Sequence, residues 1–151
     1  MCNAESKKVY KIALIGCGCM GAAHLDYICR KDNVFLQCVC DTDISRAEDF
    51  KKRYGAAQCE TDYKKVVCIK DIDIVIIATY PSSHLEILEK CLENKKHVLC
   101  EKPISNNLES GQKMVDLIKS HPECKVLIGY ILRHNKTYRH VAKMIKQGAI
   151  G

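Results

Sequence analysis

A chain of 151 residues is long enough to form one domain with a sizeable core, and its 47% hydrophobic and 28% charged residues exclude an intrinsically disordered protein. The formal net charge of +6 comes from basic residues spread along the chain, with only 7 Tyr, 2 Phe and no Trp, which argues against a nucleic-acid-binding surface. The first eight residues are polar, and no apolar run has the length of a membrane span, so neither a signal peptide nor a transmembrane helix is predicted.

The first predicted strand, residues 9–15, runs into a glycine-rich turn and the start of a helix. In dinucleotide-binding loops the first glycine permits the tight turn, the second lets the backbone approach the pyrophosphate, and the third lets the helix pack closely on the strand. The N-terminus of the helix then binds the phosphates through free N–H groups and the helix dipole. The predicted pyrophosphate loop consists of Gly16, Cys17, Gly18, Cys19, Met20 and Gly21.

A second strand is predicted over residues 34–40 and is followed by Asp41, about 20 residues after Gly21. At this spacing an acid is expected to accept hydrogen bonds from the adenosine ribose hydroxyls. Its carboxylate would repel a 2′-phosphate about 4 Å away by roughly 4 kcal/mol at a dielectric near 20, so NAD is predicted rather than NADP. Arg46 is the residue that could still reach such a phosphate. Capping of a turn or helix is the alternative role of Asp41.

Strands and helices continue to alternate along the chain. Further strands are predicted over residues 56–59, 73–79, 97–100 and 126–130, and helices over residues 20–30, 45–54, 61–67, 84–92, 108–118 and 137–147. The predicted apolar stripes are Met20, Ala23, Tyr27 and Arg30, widened by Leu25 and Ile28, in the first helix, Leu85, Leu88, Cys91 and Leu92 in the fourth, and Leu108, Gly111, Val115 and Ile118 in the fifth. This alternation predicts an α/β fold: an open doubly wound parallel sheet of six strands, the Rossmann fold.

The 11 cysteines contain no Cys-x-x-Cys pair, so reduced thiols are predicted rather than a metal site, as in a reducing cytoplasm. Most are expected to be buried in strands and helices, including Cys29, Cys38 and Cys40. Cys17 and Cys19 are the alternative case, because thiols in the glycine loop could be exposed and oxidisable. The histidines show no metal-ligand pattern, and no metal is expected.

Four motifs in order resemble the N-terminal half of the glucose-fructose oxidoreductase and inositol dehydrogenase (Gfo/Idh/MocA) family. They are the glycine loop followed by His24, residues 78–84 (ATYPSSH), residues 97–103 (HVLCEKP) and residues 129–133 (GYILR). The Glu-Lys-Pro sequence is the most specific, and the four motifs span nearly the whole chain. The resemblance implies an NAD(P)-dependent oxidoreductase acting on sugars, polyols or related compounds. It also implies that residues 1–151 are the cofactor domain and that a second domain outside this chain supplies most of the substrate pocket.

By this resemblance Lys102 is the active-site lysine, whose ammonium can hydrogen-bond the reacting oxygen and stabilise negative charge on it. A solvated surface lysine is the alternative. The resemblance also implies a cis bond before Pro103. The remaining cofactor-binding residues that it implies are Thr79, Tyr80, Pro81 and Ser82 beside the ribose and pyrophosphate, and His84, Glu101 and Arg133 beside the nicotinamide. For His84 and Arg133 the alternative is a solvent-facing residue. His24 is expected to be a packing residue of its helix.

Two other functions fit parts of the pattern. One is a dinucleotide-sensing module without catalysis, which would not need Lys102. The other is a methyltransferase using S-adenosylmethionine, which would not need Glu-Lys-Pro and commonly has a seventh, antiparallel strand. The predicted partners are a small sugar or polyol and, for a full-length enzyme, further copies of itself, whereas this chain alone is expected to bind cofactor with little turnover.

Overall fold

Six parallel strands form one sheet in the computed structural model, which describes residues 8–150. The sheet has the spatial order β3-β2-β1-β4-β5-β6, the doubly wound order in which the chain changes direction of winding between β1 and β4. The predicted Rossmann fold is confirmed. Its strands are β1 (Tyr10–Ile15), β2 (Val34–Cys40), β3 (Gln58–Glu60), β4 (Ile74–Ile77), β5 (His97–Cys100) and β6 (Val126–Ile128).

Helices connect the strands, and polar caps fix several of their ends. The Asp43 carboxylate accepts the backbone N–H of Ser45 at the start of the second helix, and Gly55 ends that helix in the left-handed conformation with φ 70°. None of the helices between residues 8 and 150 combines the length and the apolar character needed to cross a membrane. The helices are α1 (Cys19–Ile28), α2 (Ile44–Tyr54), α3 (Tyr63–Val67), α4 (Pro81–Glu93), α5 (Leu108–Ser120) and α6 (Lys136–Lys146), with a 3-10 turn at Ile131–His134.

The alternating side chains of β1 divide the core between the two faces of the sheet. Ile12 and Leu14 pack with α1 and the end of α2, whereas Ala13 and Ile15 pack with α3, α4 and α5. Because both faces are covered, β1 and β4 need an uninterrupted apolar sequence rather than polar alternation. Their carboxyl ends meet at one edge of the sheet, which is where ligands bind in open α/β folds.

The buried stripes of two helices differ from the prediction. In α1, the predicted Leu25 is buried together with Gly21, whereas the predicted Met20 and Tyr27 are exposed. In α5, Met114 is fully buried and Leu108 is 88% exposed. In α4 the predicted Leu88, Cys91 and Leu92 are buried together with His84 and Ile87, and the predicted Leu85 is half-buried.

Ten cysteines in the described part of the chain are free thiols. Cys38 and Cys40 are buried as expected, but Cys29 is exposed because it follows the last turn of α1 as its cap. The glycine-loop thiols behave differently from each other: Cys17 is buried and Cys19 is exposed.

The last helix presents an unpaired apolar face. Tyr138, Val141 and Ile145 of α6 are 40–56% exposed, and the helix packs mainly on the 3-10 turn before it. Residues 131–146 contain five Lys or Arg and no Asp or Glu, so much of the net charge lies here rather than spread along the chain. An amphipathic helix of this kind is stable when another surface covers its apolar face.

Candidate functional site

The three glycines of the loop are required for different reasons. Gly16 adopts φ +102°, and a Cβ there would lie 2.5 Å from the carbonyl oxygen of Ala78 at the end of β4. A Cβ at Gly21 would collide with the carbonyl oxygen of Gly16, so this glycine permits close packing of α1 on the loop. A Cβ at Gly18 would meet nothing within 4 Å. The space beside Gly18 is therefore open to a ligand that approaches the backbone.

Asp41 joins the end of β2 to the glycine loop. Its Oδ2 accepts the backbone N–H of Cys17 over 2.9 Å, and its Oδ1 accepts that of Asp43 over 3.0 Å. The guanidinium of Arg46 lies 3.2 Å from Oδ1 of Asp41 and 3.3 Å from Oδ2 of Asp43. The turn-capping role considered for Asp41 is thus present together with its position at the site. Arg46 is held by two carboxylates rather than free.

A cavity of about 570 Å³ opens at this edge of the sheet, between the glycine loop, the end of β2 and the end of β4. This volume lies in the range of small-molecule and cofactor sites. The cavity occupies the point where the strand order reverses, as expected for a doubly wound fold. It is lined by the following polar and loop residues: Gly16, Gly18, Cys19, Met20, Asp41, Thr42, Arg46, Thr61, Tyr63, Thr79, Tyr80, Ser82 and Ser83.

The turn after β4 supplies one wall of the cavity. Thr79, Tyr80 and Ser82 line it, whereas Pro81 begins α4 and stands outside the lining. The Ser83 hydroxyl donates to Oγ1 of Thr79 over 2.8 Å, which fixes that side chain. Among the polar residues of this lining, sequence reasoning missed Thr42, Thr61, Tyr63 and Ser83. Ser83 stands next to the predicted Ser82, and Tyr63 follows the strand that pairs with β2.

His84 does not reach the cavity. Its side chain is fully buried beneath the turn, and Nε2 lies 3.1 Å from the carbonyl oxygen of Thr79. The Nδ1 atom has no hydrogen-bond partner within the described residues. The expected cofactor contact is therefore corrected to a contact that supports Thr79 from below, and the solvent-facing alternative is excluded. Burial follows because residue 84 falls on the inner stripe of α4.

The Glu-Lys-Pro segment follows β5. Glu101 is only 4% exposed: its carboxylate lies 2.8 Å from Nε2 of His24 and accepts the backbone N–H of Lys102 over 3.0 Å. Both oxygens are thus engaged within the protein, and Glu101 lies outside the lining of the cavity, so its contact with the cofactor stays a prediction. Lys102 is exposed, and the bond to Pro103 is cis, as expected.

Lys102 and Arg133 stand outside the lining of the cavity. Arg133 is exposed in the 3-10 turn after β6, with its guanidinium 5.2 Å from the centre of the Tyr130 ring. Both residues follow neighbouring strands β5 and β6 at the same carboxyl edge of the sheet. The structure thus groups the predicted residues into a cavity-lining set near β1, β2 and β4 and a second set near β5 and β6.

The loop offers backbone N–H groups to an anion, and of its two thiols only Cys19 is accessible. Burial raises the pKa of Cys17 to about 12, so this thiol is protonated at neutral pH. Cys19 is the first residue of α1, where backbone N–H groups face the cavity. Among residues 8–150, no three His, Cys, Asp or Glu side chains are grouped so that they could hold a metal ion.

Comparison with known proteins matches this site to a family. Residues 10–130 match the model of an oxidoreductase family with an NAD-binding Rossmann fold, Gfo/Idh/MocA. The chain is 31% identical to inositol 2-dehydrogenase 4 of Saccharopolyspora erythraea, over 97% of this chain and 44% of that protein. It is 26% identical to myo-inositol 2-dehydrogenase of Thermotoga maritima, over 93% of this chain and 42% of that protein.

Solved structures similar to this chain include an inositol dehydrogenase. Scyllo-inositol dehydrogenase from Lactobacillus casei, determined with bound NAD(H) and scyllo-inositol, superposes with a TM-score of 0.86 at 30% identity, covering 95% of this chain and 43% of that one. The chain thus spans less than half the length of these relatives. Because the family model covers most of its residues, the chain belongs to the Gfo/Idh/MocA oxidoreductase family and contains that family's NAD-binding Rossmann fold.

Proposed function

We propose that this chain is the NAD-binding domain of an oxidoreductase that transfers hydride between nicotinamide and a hydroxyl or carbonyl group of a polyol or sugar. The observation that carries the proposal is the cavity at the switch point of the sheet, which has the open backbone of Gly18 on one side and the buried carboxylate of Asp41 on the other. Relatives that act on inositols support a polyol as the substrate.

Different residues of the site bind different parts of the dinucleotide. Backbone N–H groups at the start of α1 face the pyrophosphate, and Asp41 accepts hydrogen bonds from the adenosine ribose. The pairing of Arg46 with Asp41 and Asp43 supports NAD over NADP, because a 2′-phosphate would have to compete with two carboxylates for its guanidinium. Bound NAD supplies the hydride acceptor at C4 of its nicotinamide.

Lys102 is the residue of this chain that we assign to catalysis. Its exposed ammonium at the carboxyl edge of the sheet can donate a hydrogen bond to the reacting oxygen, which stabilises negative charge there as hydride transfers. Arg133, at the end of the neighbouring strand, adds positive charge to the same edge. The proton-transfer residues of the reaction are assigned to the part of the enzyme that this chain does not span.

The whole enzyme is proposed to include a second, substrate-binding domain and to form a homo-oligomer. The relatives are longer than this chain, and the apolar face of α6 is uncovered. Both observations support a second domain or subunit that packs on this one. A reducing, cytoplasmic location is supported by the ten free cysteines of the described residues.

A titration with NADH, and separately with NADPH, tests the proposal through nicotinamide fluorescence, which suits a chain without Trp. Saturable binding that is tighter for NADH is expected. Absence of binding for both cofactors contradicts the proposal, and S-adenosylmethionine is then the ligand to test. A chain that binds NADH but fails to support polyol oxidation when joined to a relative's second domain would instead be a sensing module.

A further inference from the structure

The carboxylate of Glu101 is buried and bonded on both oxygens to different parts of the molecule. Oε1 lies 2.8 Å from Nε2 of His24 on α1, and Oε2 accepts the backbone N–H of Lys102. Removing a carboxylate from water is costly unless hydrogen bonds replace the lost hydration. Bonds to a charged acceptor are among the strongest in proteins, so these two contacts hold the side chain in one place.

Gly129, at the end of β6, closes the third side of this carboxylate. A Cβ at this position would lie 3.0 Å from Oε1 and 3.2 Å from Oε2 of Glu101. The backbone of Gly129 is not in the left-handed conformation, so what glycine provides here is space beside the carboxylate rather than backbone freedom. Its N–H donates to the carbonyl of Cys100 over 2.8 Å, which fixes Gly129 against β5. The Glu101 carboxylate is therefore packed against the backbone of Gly129 in addition to its two hydrogen bonds.

His24 connects this carboxylate to the helix of the glycine loop. It lies on α1 three residues after Gly21, whose packing on Gly16 fixes the helix against β1. The ring is mostly buried, with 18% of the side chain exposed. One chain of contacts thus runs from the proposed pyrophosphate site through His24 and Glu101 to the backbone of Lys102.

We propose that Glu101 is a positioning residue that fixes Lys102 for the nicotinamide, and that His24 orients the Glu101 carboxylate. The proposal rests on the function proposed above, because it gives Lys102 a nicotinamide to face. It assigns Glu101 a role through the backbone of Lys102, whose N–H its carboxylate accepts. It also accounts for Gly129, where a larger residue would displace the carboxylate.

Amide hydrogen exchange of lysines tests the positioning directly. The protein is labelled with nitrogen-15 lysine. The backbone amide resonance of Lys102 is then identified as the one that is absent from the spectrum of Lys102→Arg. His24→Leu removes the donor to Oε1 and is expected to speed Lys102 amide exchange about tenfold or more, since a bond to a charged group contributes about 1.5–3 kcal/mol. His24→Gln retains an N–H donor and is expected to exchange near the wild-type rate.

His97→Leu is the matched control. His97 Nδ1 accepts the backbone N–H of Lys125 over 3.1 Å at the opposite edge of the sheet, so this variant should speed exchange of Lys125 and not of Lys102. Both amides are seen in the same spectrum. Unchanged Lys102 exchange in His24→Leu, or equal acceleration of all protected lysine amides, overturns the proposal.

A binding comparison separates positioning from general damage. ADP-ribose lacks the nicotinamide, so His24→Leu is expected to weaken NADH binding more than ADP-ribose binding. An equal loss for both ligands overturns the proposal, because it indicates a disturbed glycine loop. If wild-type chain binds neither ligand, the proposed function fails, while the Lys102 exchange result still decides whether His24 and Glu101 position Lys102.

Discussion

The backbone N–H of Cys17 donates a 2.9 Å hydrogen bond to Oδ2 of Asp41, so the glycine loop and the end of β2 form one unit. Asp41→Asn keeps a carbonyl acceptor for this bond but removes the charge. We expect the preference for NADH over NADPH to fall by about tenfold, because the repulsion of a 2′-phosphate is lost. Parallel titrations with the two cofactors measure the ratio. Asp49→Asn, on the exposed face of α2, is the control and should keep the wild-type preference.

Arg46 determines how much NADPH affinity the Asp41→Asn variant can gain. Without the Asp41 charge its guanidinium has one carboxylate partner fewer and is free to bind the 2′-phosphate. We therefore expect Asp41→Asn with Arg46→Ala to lose the gain in NADPH affinity while its NADH affinity stays close to that of Asp41→Asn. Equal NADPH affinity in the single and double variants would contradict this role of Arg46.

The loop glycines give a prediction that separates folding from binding. Gly21→Ala places a methyl group against the carbonyl of Gly16 and should lower the free energy of unfolding by about 1–3 kcal/mol. Gly18→Ala has space for its methyl group in the free protein, so it should retain stability. Because that space is where the pyrophosphate would lie, it should lose most NADH affinity. Thermal unfolding and NADH titration of both variants measure the two effects.

Local sequence was sufficient for the strands but not for every helix face. The apolar runs of β1 and β4, bounded by glycine or turn residues, identify strands covered on both sides. In α1 the small residue Gly21 sets the buried face by its close approach to the loop, and in α5 the predicted Gly111 packs on Ser105 while Met114 is buried in place of Leu108. A Cβ at Gly111 would lie 2.9 Å from Oγ of Ser105. A hydrophobicity pattern does not report such contacts, and both predicted stripes were therefore displaced.

In the site, too, local sequence does not predict contacts between residues that are far apart in the chain. Asp41 was identified because its distance from the glycine loop along the chain is characteristic. The contact between His24 and Glu101 joins residues 77 positions apart, and nothing in their local sequence pairs them. Likewise, the position of His84 in the first turn of α4 did not distinguish a ligand contact from burial, because that depends on how the helix rotates against the sheet.

Cys19 provides a chemical probe of the loop. It is exposed at the start of α1 and lines the cavity, whereas Cys29 and Cys68 are exposed elsewhere. NADH at about ten times its dissociation constant should slow alkylation of Cys19 by iodoacetamide about tenfold, because only the roughly one-tenth of the chain without bound NADH can react. Alkylation of Cys29 and Cys68, followed by mass spectrometry of peptides, should not change. Cys19 alkylation that is insensitive to saturating NADH would place the dinucleotide away from this loop.

Buried thiols make the fold sensitive to alkali. Burial raises the pKa of Cys38, Cys40 and Cys100 from 9.0 to about 12. Since the folded pKa lies above the unfolded one, their contribution to stability is complete below pH 9 and is lost as the pH rises toward 12. Cys38→Ala should therefore show a shallower loss of unfolding free energy above pH 9. Val39→Ala, an equally buried neighbour without a titratable group, should keep the wild-type slope.

Lys96 closes the loop between α3 and β4 from inside the protein. Its ammonium donates to the carbonyl oxygens of Ile69, Lys70 and Ile72 over 2.7, 3.2 and 2.8 Å, and the residue is only 5% exposed. Lys96→Met keeps the aliphatic stem but leaves buried carbonyls unpaired, so we expect a loss of about 2–4 kcal/mol in urea unfolding. The exposed neighbour Lys95 gives the control, because Lys95→Met removes a charge without orphaning a carbonyl and should cost far less. Equal losses in the two variants would mean that solvent already pairs these carbonyls.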